Sequence, residues 1–577
     1  MYEYDLVIRG GELYDGSGRP PYIADVAVRG DRIAAIGSVT QRGLTEIDAC
    51  GRIVTPGFVD IHTHYDGQAM WDGSLSPSSW HGVTTAVMGN CGVGFAPVHF
   101  EDRDRLIKLM EGVEDIPGLA LHEGLRWNWE SFPQYLDAIE ARPHDIDFAA
   151  QIPHAPLRVF VMGKRAIDLE PATESDNVAM RKITQDAILS GAFGFSTSRT
   201  LNHRSRSGEP TPSLRATEDE LLSILRGVVD GGGGVFEMIS DFDSPGPDQE
   251  FAMVRRLVRE TSIPTSVSLA QVHHNPNGWR EVLDLVESAA CRGLPIRAQV
   301  APRPIGTLLG LQTTLNPFSA HPSYRKIATL PLNERVAILR QPDFQHCLLM
   351  EEPIGHGKDA VARFSNFTRV YPLGDPPNYE PSPEQSIASI AVRAGKPAMR
   401  LALDLLLEDH GRQFLFAPFS NYADGDLEAC RTMMSNPYTI MGLGDGGAHV
   451  GMISDASFPT YLLTHWGRDR LRGRFALPEL IRMQTRDTAS AVGLSDRGIL
   501  ALGFKADINV IDFNRLGLCV PQMESDLPAG GKRLLQRASG YEATIVSGVI
   551  INRFDAPTGL LPGRLVRRKY VEVPCQV

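Results

Sequence analysis

His62-Thr63-His64 closes the apolar run Ile53 to Ile61, which reads as a buried strand with a Pro56-Gly57 turn inside it. In an extended strand, residues two apart face the same way. Both imidazoles can therefore converge on one point at the strand's carboxyl end. Paired neutral imidazoles suit a divalent metal, zinc above all; taken alone, a surface His pair in a turn is an equally good reading. Cys91, in Met88-Gly89-Asn90-Cys91-Gly92-Val93-Gly94, offers a thiolate between glycines that let the backbone come close. A lone Cys is more often a buried inert thiol. His273 and His274 follow the run Ser266 to Val272. One of two adjacent side chains should face inward and the other away, and singly each is more often a structural His. Asp445, in Gly442-Leu443-Gly444-Asp445-Gly446-Gly447-Ala448-His449, could take a proton from water beside a metal and pass it to a leaving group. Its plain alternative is a turn aspartate among glycines.

The elements that would position these residues alternate in type. Strand-like runs occur at 53–61, 84–89, 148–152, 192–196, 234–238, 266–272, 295–300 and 439–444, with helical patterns such as 218–229 and 249–260 between them. Eight such units predict a (β/α)8 TIM barrel, an α/β fold whose active site lies at the carboxyl ends of the strands. The four candidate places all fall at such ends. Half-buried strand alternation marks both termini, with a hairpin signal at Gly30-Asp31. We therefore expect residues 1–56 and 491–577 to build one small discontinuous β-sandwich domain, and 57–490 to form the barrel. The Pro- and Phe-rich stretch near 305–425 is too long for a simple connection and reads as a lid-like insertion. The Gly231 to Gly234 run lacks phosphate-loop spacing and reads as the end of a helix before strand five.

The totals exclude several classes of function. The chain has 577 residues, 42% hydrophobic and 22% charged, and a net charge of -12 without a basic block. Nucleic acid and anionic membrane are not expected as partners, and no run reaches the roughly 18 apolar residues of a membrane span. The start, Met1-Tyr2-Glu3-Tyr4-Asp5, lacks the basic and apolar texture of a signal peptide. The seven Cys, at 50, 91, 291, 347, 430, 519 and 575, have no paired spacing. A cytoplasmic protein without a disulfide framework is expected; a homo-oligomer is left open.

The constellation, together with the discontinuous β domain, resembles the amidohydrolase superfamily, and within it the N-acyl-D-amino-acid deacylase (D-aminoacylase) branch. The resemblance covers nearly the whole chain. It is carried by Asp60-Ile61-His62-Thr63-His64-Tyr65-Asp66, Gly82-Val83-Thr84-Thr85, Met88-Gly89-Asn90-Cys91-Gly92, Gly444-Asp445-Gly446 and the closing run from Gly498 to Asp507. The His-x-His segment is specific for the superfamily and Gly89-Asn90-Cys91-Gly92 for the branch. In that branch a Cys stands in for the carboxylated Lys used elsewhere to hold metal. The resemblance thus implies metal ligation by His62, His64, Cys91 and His273, with Asp445 as both ligand and catalytic base. His273 is taken over His274 because it directly follows Val272 in the strand's register.

Two departures shape the expectation. The family's metal-binding His at the end of strand five is missing from Val235-Phe236-Glu237-Met238-Ile239-Ser240-Asp241. Glu237 is either a substitute ligand or a buried salt-bridging residue, so one zinc ion is expected, with a second left open. The branch's Arg shortly after the catalytic Asp is also missing from Val450 to Phe458, which argues against tight reading of a free substrate carboxylate. Arg303, just past strand seven, is the alternative cation, with His274 and Glu237 as further substrate-side candidates. Asn202-His203-Arg204-Ser205-Arg206 is basic, and touches an anionic substrate or is simply a solvated loop. The expected function is zinc-dependent hydrolysis of a linear amide in a small molecule. Hydrolysis of a cyclic amide or ureide, as in dihydropyrimidinase-like enzymes, is the rival, and a metal-free binding protein on the same fold is the third reading.

Overall fold

The computed structural model describes residues 2–243, 246–355 and 358–568; Met1, Cys575 and the rest of 569–577 lie outside the described residues. Alternation at the N-terminus does what its period requires. In strand Tyr4–Leu13, Leu6 and Ile8 pack on one face with Val26, Val28, Ile508, Val510 and Ile545, while Val7 packs on the other with Ala27 and Val39. Strands Tyr22–Arg29 and Arg32–Gly37 form the hairpin turning at Gly30-Asp31. Strand Ile53–Pro56 pairs in parallel with Tyr4–Leu13 and antiparallel with Ile508–Ile511, so one sheet is stitched from both ends of the chain. After Pro56 the chain leaves that sheet, and Phe58–Asp60 begins the barrel.

The barrel strands, in order, are Phe58–Asp60, Val83–Met88, Asp147–Ala150 continued by Ile152–Pro153, Gly194–Arg199, Val235–Ser240, Thr265–Ser268, Ile296–Val300 and Thr439–Met441. All neighbours are parallel. Two seams interrupt the regular ladder. At the first, Gln151 N donates to Met88 O between the two halves of strand three. At the second, strand one meets strand eight through a bridge between Thr63 and Gly446. The helices follow their apolar period: in Glu218–Asp230, Leu221, Ile224, Leu225 and Val228 are buried and Thr217 accepts from Glu220 N at the start. That helix ends at Gly231, and the glycine run delivers the chain to strand five.

The insertion is built on antiparallel strands Ile305–Leu309 and Leu415–Ser420, with Tyr371–Pro372 beside the latter. It has its own core, including Leu309, Phe318, Leu339, Leu348, Leu403 and Leu415. It is pinned beside the carboxyl end of the barrel: Leu308 N donates to Met452 O at 2.7 Å and Thr314 Oγ1 to Asp115 Oδ2 at 2.7 Å. Its last strand also captures the chain after strand six, where Gln271 N donates to Asn421 Oδ1 and Asn421 N to Gln271 O, both at 2.8 Å. Among the described residues no helix is long and apolar enough to cross a membrane, and the six described cysteines are free thiols.

Barrel and terminal sheet are joined by a buried charge network. Arg497 donates to Asp147 Oδ2 at 2.7 Å and Thr85 Oγ1 at 2.8 Å, and Lys505 Nζ bridges Asp147 at 2.9 Å and Asp507 at 2.8 Å. Burial alone would raise the Asp147 carboxyl, but Lys505 and Arg497 hold it below its ordinary value. Replacing Arg497 by Met would leave buried carboxylates short of a partner, and we expect a loss of about 3–5 kcal/mol of unfolding free energy. Denaturant unfolding checks this; a loss under about 1 kcal/mol, the worth of an exposed pair, would show that the network does not join the two parts.

Candidate active site

The seam between strands one and eight places the chemistry. Asp445 N donates to His62 O at 2.9 Å and His64 N to Gly446 O at 2.7 Å. The backbone beyond strand one therefore stays extended, and the two imidazoles share a face with ring centroids 5.5 Å apart. Asp445 sits at φ +47°, an uncommon conformation for a residue with a side chain. Its Oδ1 lies 3.3 Å from His62 Nε2 and 3.5 Å from His64 Nε2. Gly444 has no room for a side chain, because a Cβ there would lie 2.6 Å from Asp60 Oδ2. Asp60 in turn accepts from His62 N at 3.0 Å.

Strand two brings the sulfur. After Met88, Asn90 Nδ2 donates to Thr63 O at 3.1 Å and Val87 O at 2.9 Å, folding the loop back over strand one. Ser196 Oγ donates to Gly89 O and accepts from Gly92 N at 2.9 Å. A Cβ at Gly92 would sit 2.9 Å from the Thr197 Cα, so the close approach to strand four needs glycine. Cys91, at φ +53°, points its Sγ to 3.3 Å from His62 Nε2. His62, His64 and Cys91 thus offer donor atoms all within 4.8 Å of one another.

Hydrogen bonds behind the cluster fix its orientation. His62 Nδ1 is 2.7 Å from Gln299 Oε1, and Gln299 Nε2 donates to Ser266 Oγ at 2.8 Å. With the amide so oriented, Nδ1 carries the proton and Nε2 presents its lone pair to the cluster. His64 Nδ1 lies 3.3 Å from the buried Glu114 Oε1, and His449 Nε2 is 3.7 Å from Glu114 Oε2. Glu237 Oε2 accepts from Cys91 N at 2.8 Å.

Electrostatically the site is crowded with acids. Burial pushes Asp60 and Asp66 up to about 7. Burial, then neighbouring carboxylates, raises Glu114 and the Cys91 thiol well above their ordinary values. Asp445 is the exception. Burial opposes ionisation, but a hydrogen bond with His64 and the charges of His62, His64 and His449 hold it well below the carboxylate range. Such a set fits a divalent cation: two imidazole nitrogens, a sulfur that ionises beside a metal, and a carboxylate.

The sequence pattern of the amidohydrolase family matches residues 45–552. The chain belongs to the amidohydrolase family. Its relatives include the D-aminoacylase of Alcaligenes xylosoxydans xylosoxydans, 29% identical over 98% of both chains. The N-acyl-D-glutamate deacylase of the same organism is 37% identical over 33% of this chain and 37% of its own length. Two solved structures share the fold, a TIM barrel with a β-sandwich domain. One is a D-aminoacylase (TM-score 0.64, 24% identity, 98% of this chain and 100% of that one). The other is the N-acyl-D-glutamate deacylase of Bordetella bronchiseptica, complexed with zinc and a phosphonate inhibitor (TM-score 0.64, 22% identity, 98% and 99% covered).

In this amidohydrolase the sequence-predicted residues separate into two groups. His62, His64, Cys91 and Asp445 come together, with Glu237 beside them. His273 does not join them: strand six ends at Ser268, and the chain beyond it is drawn to the insertion, where His273 Nε2 bonds Pro418 O at 3.0 Å. His274 is exposed and paired with Asp243 at 3.0 Å. Arg303 is buried, paired with Asp455 at 2.8 Å and stacked 3.8 Å from the Tyr379 ring centroid, so its charge serves the packing of the insertion. Glu114 and Gln299 stand beside the cluster and were missed by sequence reasoning; the polar residues inside strand seven, Arg297 and Gln299, were the available signal for Gln299. Replacing Gln299 by Leu should weaken metal affinity about 10–100-fold through loss of imidazole orientation. Competition with a chromogenic chelator measures it, and unchanged affinity would mean that Gln299 plays no orienting part.

Proposed function

We propose that this amidohydrolase is a zinc-dependent deacylase that cleaves the linear amide of an N-acylated small molecule. The observation that carries the reading is the convergence of His62 Nε2, His64 Nε2, Cys91 Sγ and Asp445 Oδ1 at the seam of the barrel. Those four residues would hold the ion. The mixed nitrogen and sulfur set favours zinc. When bound, zinc lowers the pKa of a water far from its bulk value, toward about 7, and polarises a carbonyl. Asp445, kept ionised, accepts the proton of the attacking water and returns it to the departing nitrogen. The names of the relatives, D-aminoacylase and N-acyl-D-glutamate deacylase, support an N-acyl amide over a cyclic ureide.

One ion is the expected stoichiometry, because strand five offers Glu237 and strand six Ser266 and Ser268 in place of further imidazoles. A D-aminoacylase, 23% identical, has a binuclear centre in which one metal activates and the second attenuates. Elemental analysis after extensive dialysis should find close to one zinc per chain; two tightly held ions would overturn the single-ion reading. With Arg303 committed to Asp455, replacing a substrate's free carboxylate by a neutral amide should cost little. A fall of roughly 10³-fold in kcat/KM, about 4 kcal/mol, would reveal an unassigned cation.

The test of the function is a panel of N-acyl-D- and N-acyl-L-amino acids and their amides, beside hydantoins and dihydropyrimidines. Turnover confined to the cyclic substrates would overturn the deacylase reading. Asp445→Asn should lower kcat by about 10²–10⁴-fold with zinc still bound. A variant that keeps more than about a tenth of wild-type turnover, well short of what general acid–base catalysis supplies, would make Asp445 structural.

A further inference from the structure

Strand four carries Ser196 and Ser198 on one face, since residues two apart point the same way. Ser196 serves the Cys91 loop. Ser198 lies one step nearer the strand's carboxyl end, and its Oγ is 2.9 Å from Nδ1 of His203. Between them Leu201 and Asn202 swing out to solvent, and the chain returns under restraint. Leu201 N donates to Asp241 Oδ2 at 2.7 Å and Thr211 N to His203 O at 3.0 Å. Gly112, in the helix that ends with Glu114, lies against the backbone of Arg204 to Arg206. This packing holds the half-buried His203 between the carboxyl end of strand four and the helix that ends at Glu114, within electrostatic reach of His62, His64, His449 and Asp445. Burial, then the neighbouring imidazoles, push its pKa down to about 3, so the ring is neutral at physiological pH.

The reaction needs a donor there. The surroundings of the cluster are rich in carboxylates, and the oxygen of a scissile amide gains negative charge as water adds to its carbon. A neutral N–H can hold that charge without repelling a cation. A Ser198 hydroxyl that donates to Nδ1 leaves the proton on Nε2. We propose, resting on the deacylase reading above, that His203 is a further catalytic residue whose Nε2–H donates to the carbonyl oxygen of the scissile amide. Water's oxygen bonds to the amide carbon and its proton passes to Asp445. The C–N bond then breaks and Asp445 protonates the nitrogen. His203 keeps its own proton throughout.

The test compares His203→Ala, His203→Phe and His203→Gln in the full-length zinc enzyme. Readouts are kcat, KM, zinc per chain and the affinity of a phosphonate that mimics the tetrahedral species. Ala and Phe should each lower kcat about 10²–10³-fold, the usual cost of removing one such donor. KM and zinc content should stay near wild type, and phosphonate affinity should fall in step with kcat/KM. Gln, which keeps an N–H donor, should recover part of the loss. Phe preserves the ring's volume and carries the comparison where Ala does not fold. Wild-type kcat in Phe, loss of zinc, or a rise in KM alone would overturn the assignment. A wild type silent on every amide would overturn the deacylase reading and this proposal with it, whereas an active wild type with an unaffected Phe variant overturns this proposal alone.

Discussion

Two backbone hydrogen bonds, Asp445 N to His62 O and His64 N to Gly446 O, are the constraint on which the site depends. They are the bonds that close the barrel between its first and last strands. Strand one supplies the imidazoles and strand eight the carboxylate, so closing the barrel and assembling the donors are one event. The sulfur is tied to the same place by Asn90, whose amide bonds Thr63 O and Val87 O. No donor sits on a free loop, and a small change in the register of the seam would separate all of them together.

Buried acids cost free energy unless they are paired. Asp60, Asp66, Glu114 and Glu237 are buried around the half-buried Asp445, and of the five Asp445 alone is strongly favoured in its charged form. A cation at the cluster would shift that balance for the rest. The residues of strands five and seven hold the cluster from behind: Glu237 accepts from Cys91 N and Gln299 Oε1 lies 2.7 Å from His62 Nδ1.

Much of this was legible from types and spacing. The His-x-His pair, the glycine-flanked Cys91 and Asp445 all stand at strand ends, and the eight strand runs match the barrel closely. Strand six was read too long, because Gln271 and Val272 look like its continuation. In the folded chain they pair with Ser420 and Asn421 of the insertion, a contact between distant segments that local pattern does not contain. The same cause moved His273 away from the cluster. Arg303 stands just past strand seven as expected, but its neutralisation by Asp455 and its stacking on Tyr379 are tertiary facts. His203 lay in the basic loop Asn202 to Arg206, read either as touching an anionic substrate or as simply solvated; its contact with Ser198 is again a tertiary fact.

The strand Ile53–Pro56 feeds directly into the barrel strand that bears His62 and His64, yet one of its two neighbours, Ile508–Ile511, belongs to the far end of the chain. During ribosomal synthesis the N-terminal strands emerge long before that neighbour exists. Contacts between such distant segments form slowly, because the closure entropy of the intervening chain must first be met. The nascent polypeptide thus carries its imidazoles and its thiol long before Asp445 and Gly446, which align them, have been made, and the strand that leads into them stays unpaired on one side until residues 508–511 follow. A chain that ends before residue 508 leaves one edge of the apolar Ile53–Pro56 strand without its neighbour, and an unpaired apolar edge is a template for association with other chains.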